Sequence, residues 1–330
     1  MMKRRCAACF LILLLVRASC AQAGAYGTAW VDGNTADRVH LRAQPSVQAQ
    51  SLGVFFTGTP VKLDAPEKDG WQAVRIGRLE GFMMRAYLRA DAAPGTQVRV
   101  GEVHTPSPEG GILLYAEPKA DAAVAAQLQD MQAVLVYGQT KEGFFDVGLG
   151  NVQRGYVHPS ELRLMEPLTQ GERRFSESYS LEIGEGVLAE IALEDTGLHF
   201  GRQQEGEVCA LTIRQGGAAQ MFEYISETVP DGAAHLIFDD VNMDGYQDIL
   251  ALRTMGASDA YAVWFLYRPQ TGAFARCDAL GGFSAWRYAL DPEEKTIVNN
   301  RRISAGEVRW EKYRWKGETL VLEESGVTIE

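Results

Sequence analysis

Short stretches of alternating apolar and polar residues recur along this 330-residue chain. Val39, Leu41 and Ala43 fall on one face of an extended segment, and His40 and Arg42 on the other. Val61 and Leu63 repeat the pattern, as do Val74 and Ile76 around Arg75, Phe145, Val147 and Leu149 further on, and Cys209, Leu211 and Ile213 later still. A period of two marks a half-buried strand. Ile249 to Leu252 and Ala260 to Tyr267 are instead continuous apolar runs, which predict strands covered on both faces. Turn residues punctuate the later part at Gln215-Gly216-Gly217, Pro230-Asp231-Gly232, Pro269-Gln270-Thr271-Gly272 and Lys316-Gly317. From Trp310 to Trp315 the alternation changes phase, because Trp310 and Tyr313 cannot share a face of a regular strand. A bulge, or a strand buried on both sides, is expected there. The fold class these patterns predict is all-β.

The strand pattern is itself repeated. Val39-His40-Leu41-Arg42-Ala43-Gln44-Pro45 aligns with Ile112-Leu113-Leu114-Tyr115-Ala116-Glu117-Pro118 at an offset of 73, and Asp69 to Val74 aligns with Glu142 to Val147 at the same offset. Gly81-Phe82 then matches Gly155-Tyr156, and Leu88 matches Leu162, at an offset of 74. One inserted residue in the turn Gly148-Leu149-Gly150-Asn151 accounts for the shift. Self-similarity at a fixed period is the mark of a duplicated unit. No amphipathic helix interrupts either copy. A unit of about 65 residues made of short strands must curl into a small barrel to bury a core.

The run "VHLRAQPS", then "GVFFTGTPVKL", "DGWQAVRIG" and "EGFMMRAYL", resembles a bacterial SH3 (SH3b) domain, and the second copy resembles a diverged one. The resemblance spans residues 26–165, with copies at 26–90 and 98–165. Tyr115 stands where the first copy has Arg42, and Phe144 where it has Trp71. The resemblance implies two small SH3-like β-barrels, export, and attachment to peptidoglycan or cell-wall peptides. The aromatics Phe55, Phe56, Trp71 and Tyr87 are the candidates to line a groove for extended peptide or glycan. A core position is the competing reading, and the favoured one, for Trp71. Phe55 and Phe56 face opposite sides of an extended chain, so one of them is expected outside. Ala90 to Gly95 is read as the link between the copies, and Glu166 to Arg174 as the separator between the pair and the C-terminal half of the chain.

Residues 175–330 form a third, β-rich region, and it carries the chain's most chemically specific motif. In Asp240-Val241-Asn242-Met243-Asp244-Gly245-Tyr246-Gln247-Asp248, oxygen-bearing side chains stand at the first, third, fifth and ninth places and glycine at the sixth. Alternate inward oxygens around a glycine turn are the donor pattern of a calcium loop. Asp240, Asn242, Asp244 and Asp248 are the candidate side-chain ligands for Ca2+, and Tyr246 offers its carbonyl. The twelfth place is Ala251 rather than glutamate, and strand-like sequence flanks the loop on both sides, so Asp248 must close the cage of a strand–loop–strand site. The run "DVNMDGYQDIL" followed by "GASDAYAVWFLYRPQTGAF" resembles the calcium-loop repeats of FG-GAP and VCBS β-propellers. That resemblance implies a propeller-like or curved-sheet domain. A related likeness is to small exported one-loop proteins, some of which inhibit lysozymes.

The N-terminus bears on location. Lys3, Arg4 and Arg5 precede the apolar stretch Cys6 to Val16, and Ala21-Gln22-Ala23 gives a small-x-small cleavage signature, so residues 1–23 read as a secretory signal peptide. Acylation at Cys20 is the competing reading, and Arg17 opposes it. No later segment has the ~20 apolar residues a transmembrane helix needs. Loss of residues 1–23 removes four basic residues and no acidic ones, taking the net charge from -11 to -15. So acidic a chain argues against nucleic acid and against electrostatic attachment to anionic membrane. Only Cys209 and Cys277 then remain, and a disulfide or two free thiols are both open. His40, His104, His158, His199 and His235 are scattered, none at a metal-ligand spacing, and no nucleophile elbow, Walker loop or zinc-protease motif is present. Glu182, Glu185, Glu190 and Glu194 read as solvated strand faces. The expected function is that of an exported, non-enzymatic, calcium-stabilised binding protein of the cell envelope. Inhibition of a wall-degrading enzyme is the alternative, and glycan hydrolysis, whose carboxylates can lie far apart in sequence, a third.

Overall fold

The computed structural model describes residues 27–33, 38–91, 98–104, 112–128, 130–149, 153–201, 206–227, 229, 233–317 and 319–329. The segment 1–23, most of the link at 90–95, the turn residues Gly150 and Asn151, and the turn at 230–232 lie outside the described residues. Within them the chain is all-β, its helical pieces being three-residue 3₁₀ turns.

The first copy contains β1 (Thr28–Val31), β2 (Val39–Arg42), β3 (Ser51–Phe55), β4 (Pro60–Leu63), β5 (Trp71–Ile76), β6 (Leu79–Met84) and β7 (Leu88–Arg89). The second contains β8 (Arg99–Val103), β9 (Ile112–Tyr115), β10 (Val124–Leu128), β11 (Ala133–Gln139), β12 (Phe145–Leu149), β13 (Gln153–Val157) and β14 (Leu162–Pro167). Their hydrogen-bonding orders are the same, β3-β2-β6-β5-β4-β1-β7 and β10-β9-β13-β12-β11-β8-β14. The register repeats as well. Arg42 faces Phe82 where β2 meets β6, and Tyr115 faces Tyr156 where β9 meets β13. Ala73 faces Phe82 and Asp146 faces Tyr156 across the following hairpins. With β5 and β12 offset by 73 and β6 and β13 by 74, the inserted residue falls in the second hairpin's turn.

Glycine is required at the crossing in both copies. A Cβ on Gly81 would lie 2.5 Å from the Arg42 carbonyl oxygen, and one on Gly155 would lie 2.7 Å from that of Tyr115. Each sheet is an open path whose end strands do not pair, rather than the closed barrel expected. Curling alone is enough to bury the small core: Val31, Leu41, Phe55, Val61, Val74 and Met83 pack inside the first without β3 meeting β7.

The rest of the chain builds three successive antiparallel meanders. The first holds β16 (Ser176–Gly184), β17 (Val187–Phe200), β18 (Gly206–Gln215) and β19 (Ala218–Glu227), with β15 (Thr169–Gln170) extending the β16 edge. The second holds β20 (Leu236–Asp239), β21 (Asp248–Met255), β22 (Ala260–Arg268) and β23 (Ala273–Arg276). The third holds β24 (Tyr288–Asp291), β25 (Thr296–Ser304), β26 (Glu307–Lys316) and β27 (Thr319–Ile329). The continuous apolar runs explain the stacking. Ile249, Ala251, Val263 and Phe265 point into the core shared with the first meander, and Leu250, Leu252, Trp264 and Leu266 into the core shared with the third. The central sheet is thus covered on both faces, in a propeller-like stack of four-stranded units. No extra residue enters β26 near Trp310 as expected; the register shift between Lys312 and Tyr313 puts the extra residue in the partner strand β27.

The segment 166–174 is more than a separator. Leu168 is buried and its N–H bonds to the Val98 carbonyl, while Thr169 and Gln170 pair with His199 and Leu198. Gln170, itself buried, accepts the Gly77 N–H at 2.8 Å and so ties the first copy to the first meander. The core of the first copy runs on into Val100, Leu135, Leu198, Phe200, Val208 and Ile225 without a break. Cys209 and Cys277 are both free and buried, in different core layers.

Candidate metal centre

The Asp240–Asp248 motif is the hairpin loop between β20 and β21, closed by the pair Asp239 and Asp248. The strand–loop–strand arrangement follows from the apolar alternation on either side. Met243 and Gly245 both take positive φ, 56° and 93°, and the glycine at the sixth place makes the sharp turn without a Cβ conflict. The loop's polar side chains fold onto its own backbone. Asp240 accepts the N–H groups of Asp244 and Gly245 at 3.0 and 2.9 Å. Asn242 accepts from the Asp244 N–H at 3.2 Å and donates to the Asp244 carboxylate at 3.0 Å. Asp244 accepts the Tyr246 N–H at 3.0 Å. Asp248, fully buried, accepts from Val241 N at 3.0 Å with one oxygen and from Tyr267 N at 2.8 Å with the other.

All three meanders grip this loop. The Gln247 N–H bonds to the Ile183 carbonyl at 2.7 Å, and the Tyr246 hydroxyl donates to Glu185 at 2.8 Å. From the other side, Trp315 Nε1 donates to the Val241 carbonyl at 3.0 Å. Gly184 is close enough to the loop that a Cβ there would stand 2.8 Å from the Gly245 carbonyl oxygen.

The donor set, three carboxylates with an amide and a backbone carbonyl, consists of hard oxygens and fits calcium chemistry. Its charge fits too. Burial, followed by the charges of Asp244 and Asp240, pushes the Asp248 carboxyl up to about 8, although two backbone N–H groups oppose the shift. Asp240 is also pushed up, chiefly by burial. No cationic side chain is among the groups that act most on either carboxyl. A dication would relieve that repulsion. Among the described residues, the three carboxylates do not bring one oxygen each within 4.8 Å of one another. Closure on an ion requires them to turn inward.

The aromatic candidates separate. Phe55 is 2% exposed and belongs to the first core, so it cannot line an open groove. Phe56 is covered by the second copy: its ring meets Tyr137 edge-on at 4.7 Å, and the Arg154 guanidinium lies 4.0 Å above it. The two residues do face opposite sides, as an extended chain demands, but the outer side is a contact between copies. Trp71 and Tyr87 are both half-buried, Tyr87 against the first core. Glu182, Glu185 and Glu190 are exposed and Glu194 is half-buried.

One constellation is invisible to sequence spacing. His199 is paired after all, its Nε2 lying 2.7 Å from Asp195 Oδ2, with Glu207 opposite it across the β17–β18 hairpin. A register shift between Asp195 and His199 makes the pairing possible, with Gly197 at φ 79° inside it. A glycine interrupting a strand pattern is the signal of such a bulge, and Thr196-Gly197 carried it. A second buried polar group is Glu102. It lies 2.6 Å from Arg253, 2.8 Å from His104 and 3.3 Å from Arg163.

No protein-family model matches the sequence, and no curated protein matches it. Among solved structures the chain is similar to a Xanthomonas type IV secretion system related protein, at 10% identity over 46% of this chain and 87% of that one, with a TM-score of 0.34. It is also similar to NlpC1 from Trichomonas vaginalis, at 14% identity over 46% and 50% of the two chains with a TM-score of 0.20. For NlpC2 from the same organism the identity is 14%, the coverage 41% and 47%, and the TM-score 0.18. The chain thus spans about half the length of each Trichomonas protein. None of these likenesses bears on function. Among the described residues, no helix is long and apolar enough to cross a membrane.

Proposed function

We propose that this is an exported, non-enzymatic binding protein of the bacterial cell envelope. The two SH3b-like copies attach it to wall or peptide ligands, and the meanders, stabilised by calcium at Asp240, Asn242, Asp244, Tyr246 and Asp248, engage a second partner. The observation that carries this reading is the duplication of one strand order and register in two adjacent sheets. Two linked weak sites gain affinity from effective concentration without any new contact. In the first copy, Trp71 and Tyr87 are the aromatic surfaces left for a ligand, since Phe55 is core and Phe56 is covered.

The test is co-sedimentation of the mature chain with purified peptidoglycan sacculi. The whole chain is needed, because a fragment ending at residue 165 would strip Leu198, Phe200, Val208 and Ile225 from the core of the first copy. The chain is expected to pellet, and folded Trp71→Ala and Tyr87→Ala variants to stay largely in the supernatant. A chain that stays in the supernatant with sacculi of every chemotype ends the wall-binding reading.

A further inference from the structure

The interior of the first meander holds a block of polar groups on three adjacent strands. In register, Asp195 lies beside Cys209 and Cys209 beside Tyr224; one row on, His199 lies beside Glu207 and Glu207 beside Ser226. None of the six is more than 5% exposed. Burying so many polar groups is costly unless each finds a partner. Several do. Asp195 Oδ1 accepts the Gly197 N–H at 2.7 Å, and Oδ2 accepts the Arg174 N–H at 2.9 Å beside the His199 ring. The Arg174 guanidinium stands 3.5 Å from Glu207.

Two needs are left unmet. The first is charge: two buried carboxylates face one guanidinium, an excess of one negative charge. Burial, then Asp195, pushes the Glu207 carboxyl up, as that excess requires. The second is the His199 ring, whose Nδ1 is buried and has no hydrogen-bond partner. The Tyr224 and Ser226 hydroxyls also lack an oxygen or nitrogen partner and sit beside the Cys209 thiol. A cation held between the two carboxylates and the imidazole supplies the missing positive charge.

The spacing suits one. Asp195, His199 and Glu207 each offer a ligand atom, and the three atoms lie within 4.8 Å of one another. We propose that Asp195, His199 and Glu207 bind a divalent first-row transition-metal ion, zinc by preference, in a structural site filled as the chain folds. Imidazole nitrogen with two carboxylates is a zinc-type donor set, whereas calcium and magnesium take oxygen alone. The site is separate from the calcium loop in both sequence and chemistry. Its burial makes the ion part of the folding equilibrium rather than a surface adduct.

The test uses the mature chain, unfolded with chelator and refolded in calcium with or without zinc or cobalt. After dialysis, metal content is read by mass spectrometry, the cobalt form by its visible ligand-field absorption, and stability by melting. One equivalent of zinc or cobalt is expected to stay bound and to raise the melting temperature. Glu207→Gln and His199→Ala should lower metal affinity by about tenfold or more. If the buried-site variants do not fold, the unaltered chain decides alone. Refolding that retains neither metal and melts identically with and without them overturns the proposal. So does retained zinc that a folded Glu207→Gln variant holds just as tightly.

Discussion

At the scale of single residues, Asp248 and Asp244 play different parts in one loop. Asp248 is buried and spends both oxygens on the backbone of Val241 and Tyr267, so it orders the strands on either side as well as facing the loop. Replacing it would unmake the hairpin and say little about an ion. Asp244 is exposed, and its contacts stay within the loop, which makes it the cleaner probe. Extracellular modules hold calcium at about 0.1–1 mM. For a Kd of ~0.1 mM, ion at ~1 mM stabilises the fold by about 1.4 kcal/mol. Chelation is therefore expected to lower the melting temperature by a few degrees, and Asp244→Ala to abolish that response. A melt that ignores both chelator and substitution removes calcium from the picture.

At the scale of elements, the two copies share a demand that composition conceals. Where β6 crosses β2, and β13 crosses β9, a carbonyl of the partner strand stands too close for any Cβ. Gly81→Ala and Gly155→Ala should each cost about 1–3 kcal/mol, the scale of forced overpacking. Gly138 lies at a register shift in β11 with nothing within 4 Å of a Cβ. Gly138→Ala should accordingly stay within about 0.5 kcal/mol of the parent. Denaturant melts of the three variants read this directly, and equal losses at all three positions would refute the close-crossing account. The glycine match was legible in the sequence as part of the repeat. Its reason was not, because the atom that excludes a Cβ at Gly81 comes from a strand about forty residues earlier.

At the scale of the whole molecule, the contacts that join the sheets are buried and charged as well as apolar. Glu102, on β8 in the second copy, reaches Arg253 on β21 in the second meander, with Arg163 and His104 beside it. Burial acts to raise the Glu102 carboxyl, but the His104 hydrogen bond and the charges of Arg253 and Arg163 outweigh it and hold the group below its ordinary value of 4.5. A depressed carboxyl contributes stability above its unfolded value, and that contribution is lost as pH falls through the folded one. Glu102→Gln leaves Arg253 without its partner and should cost about 3 kcal/mol near neutral pH. The gap between parent and variant should narrow as pH falls below 4.5, since the parent then loses the same charge. Melts across that range check the sign, and a gap that widens in acid would contradict the assignment.

The sequence by itself determined the strands, the duplication with its one-residue insertion, the double-faced β21 and β22 and the position of the oxygen-rich loop. Each of these is written in local spacing: a period of two, a lost period, a glycine among alternating oxygens. Tertiary structure decided the rest. It placed Phe56 against Tyr137 and Arg154 instead of in a groove, made residues 166–174 a stitched edge rather than a spacer, and left the curled sheets open. It also brought Asp195, His199 and Glu207 together, through a bulge in one strand and the register of the next. Periodicity fixes which face a side chain takes, whereas its neighbours on that face depend on strand pairing and sheet stacking between distant segments, and those are set by the packing of the whole core.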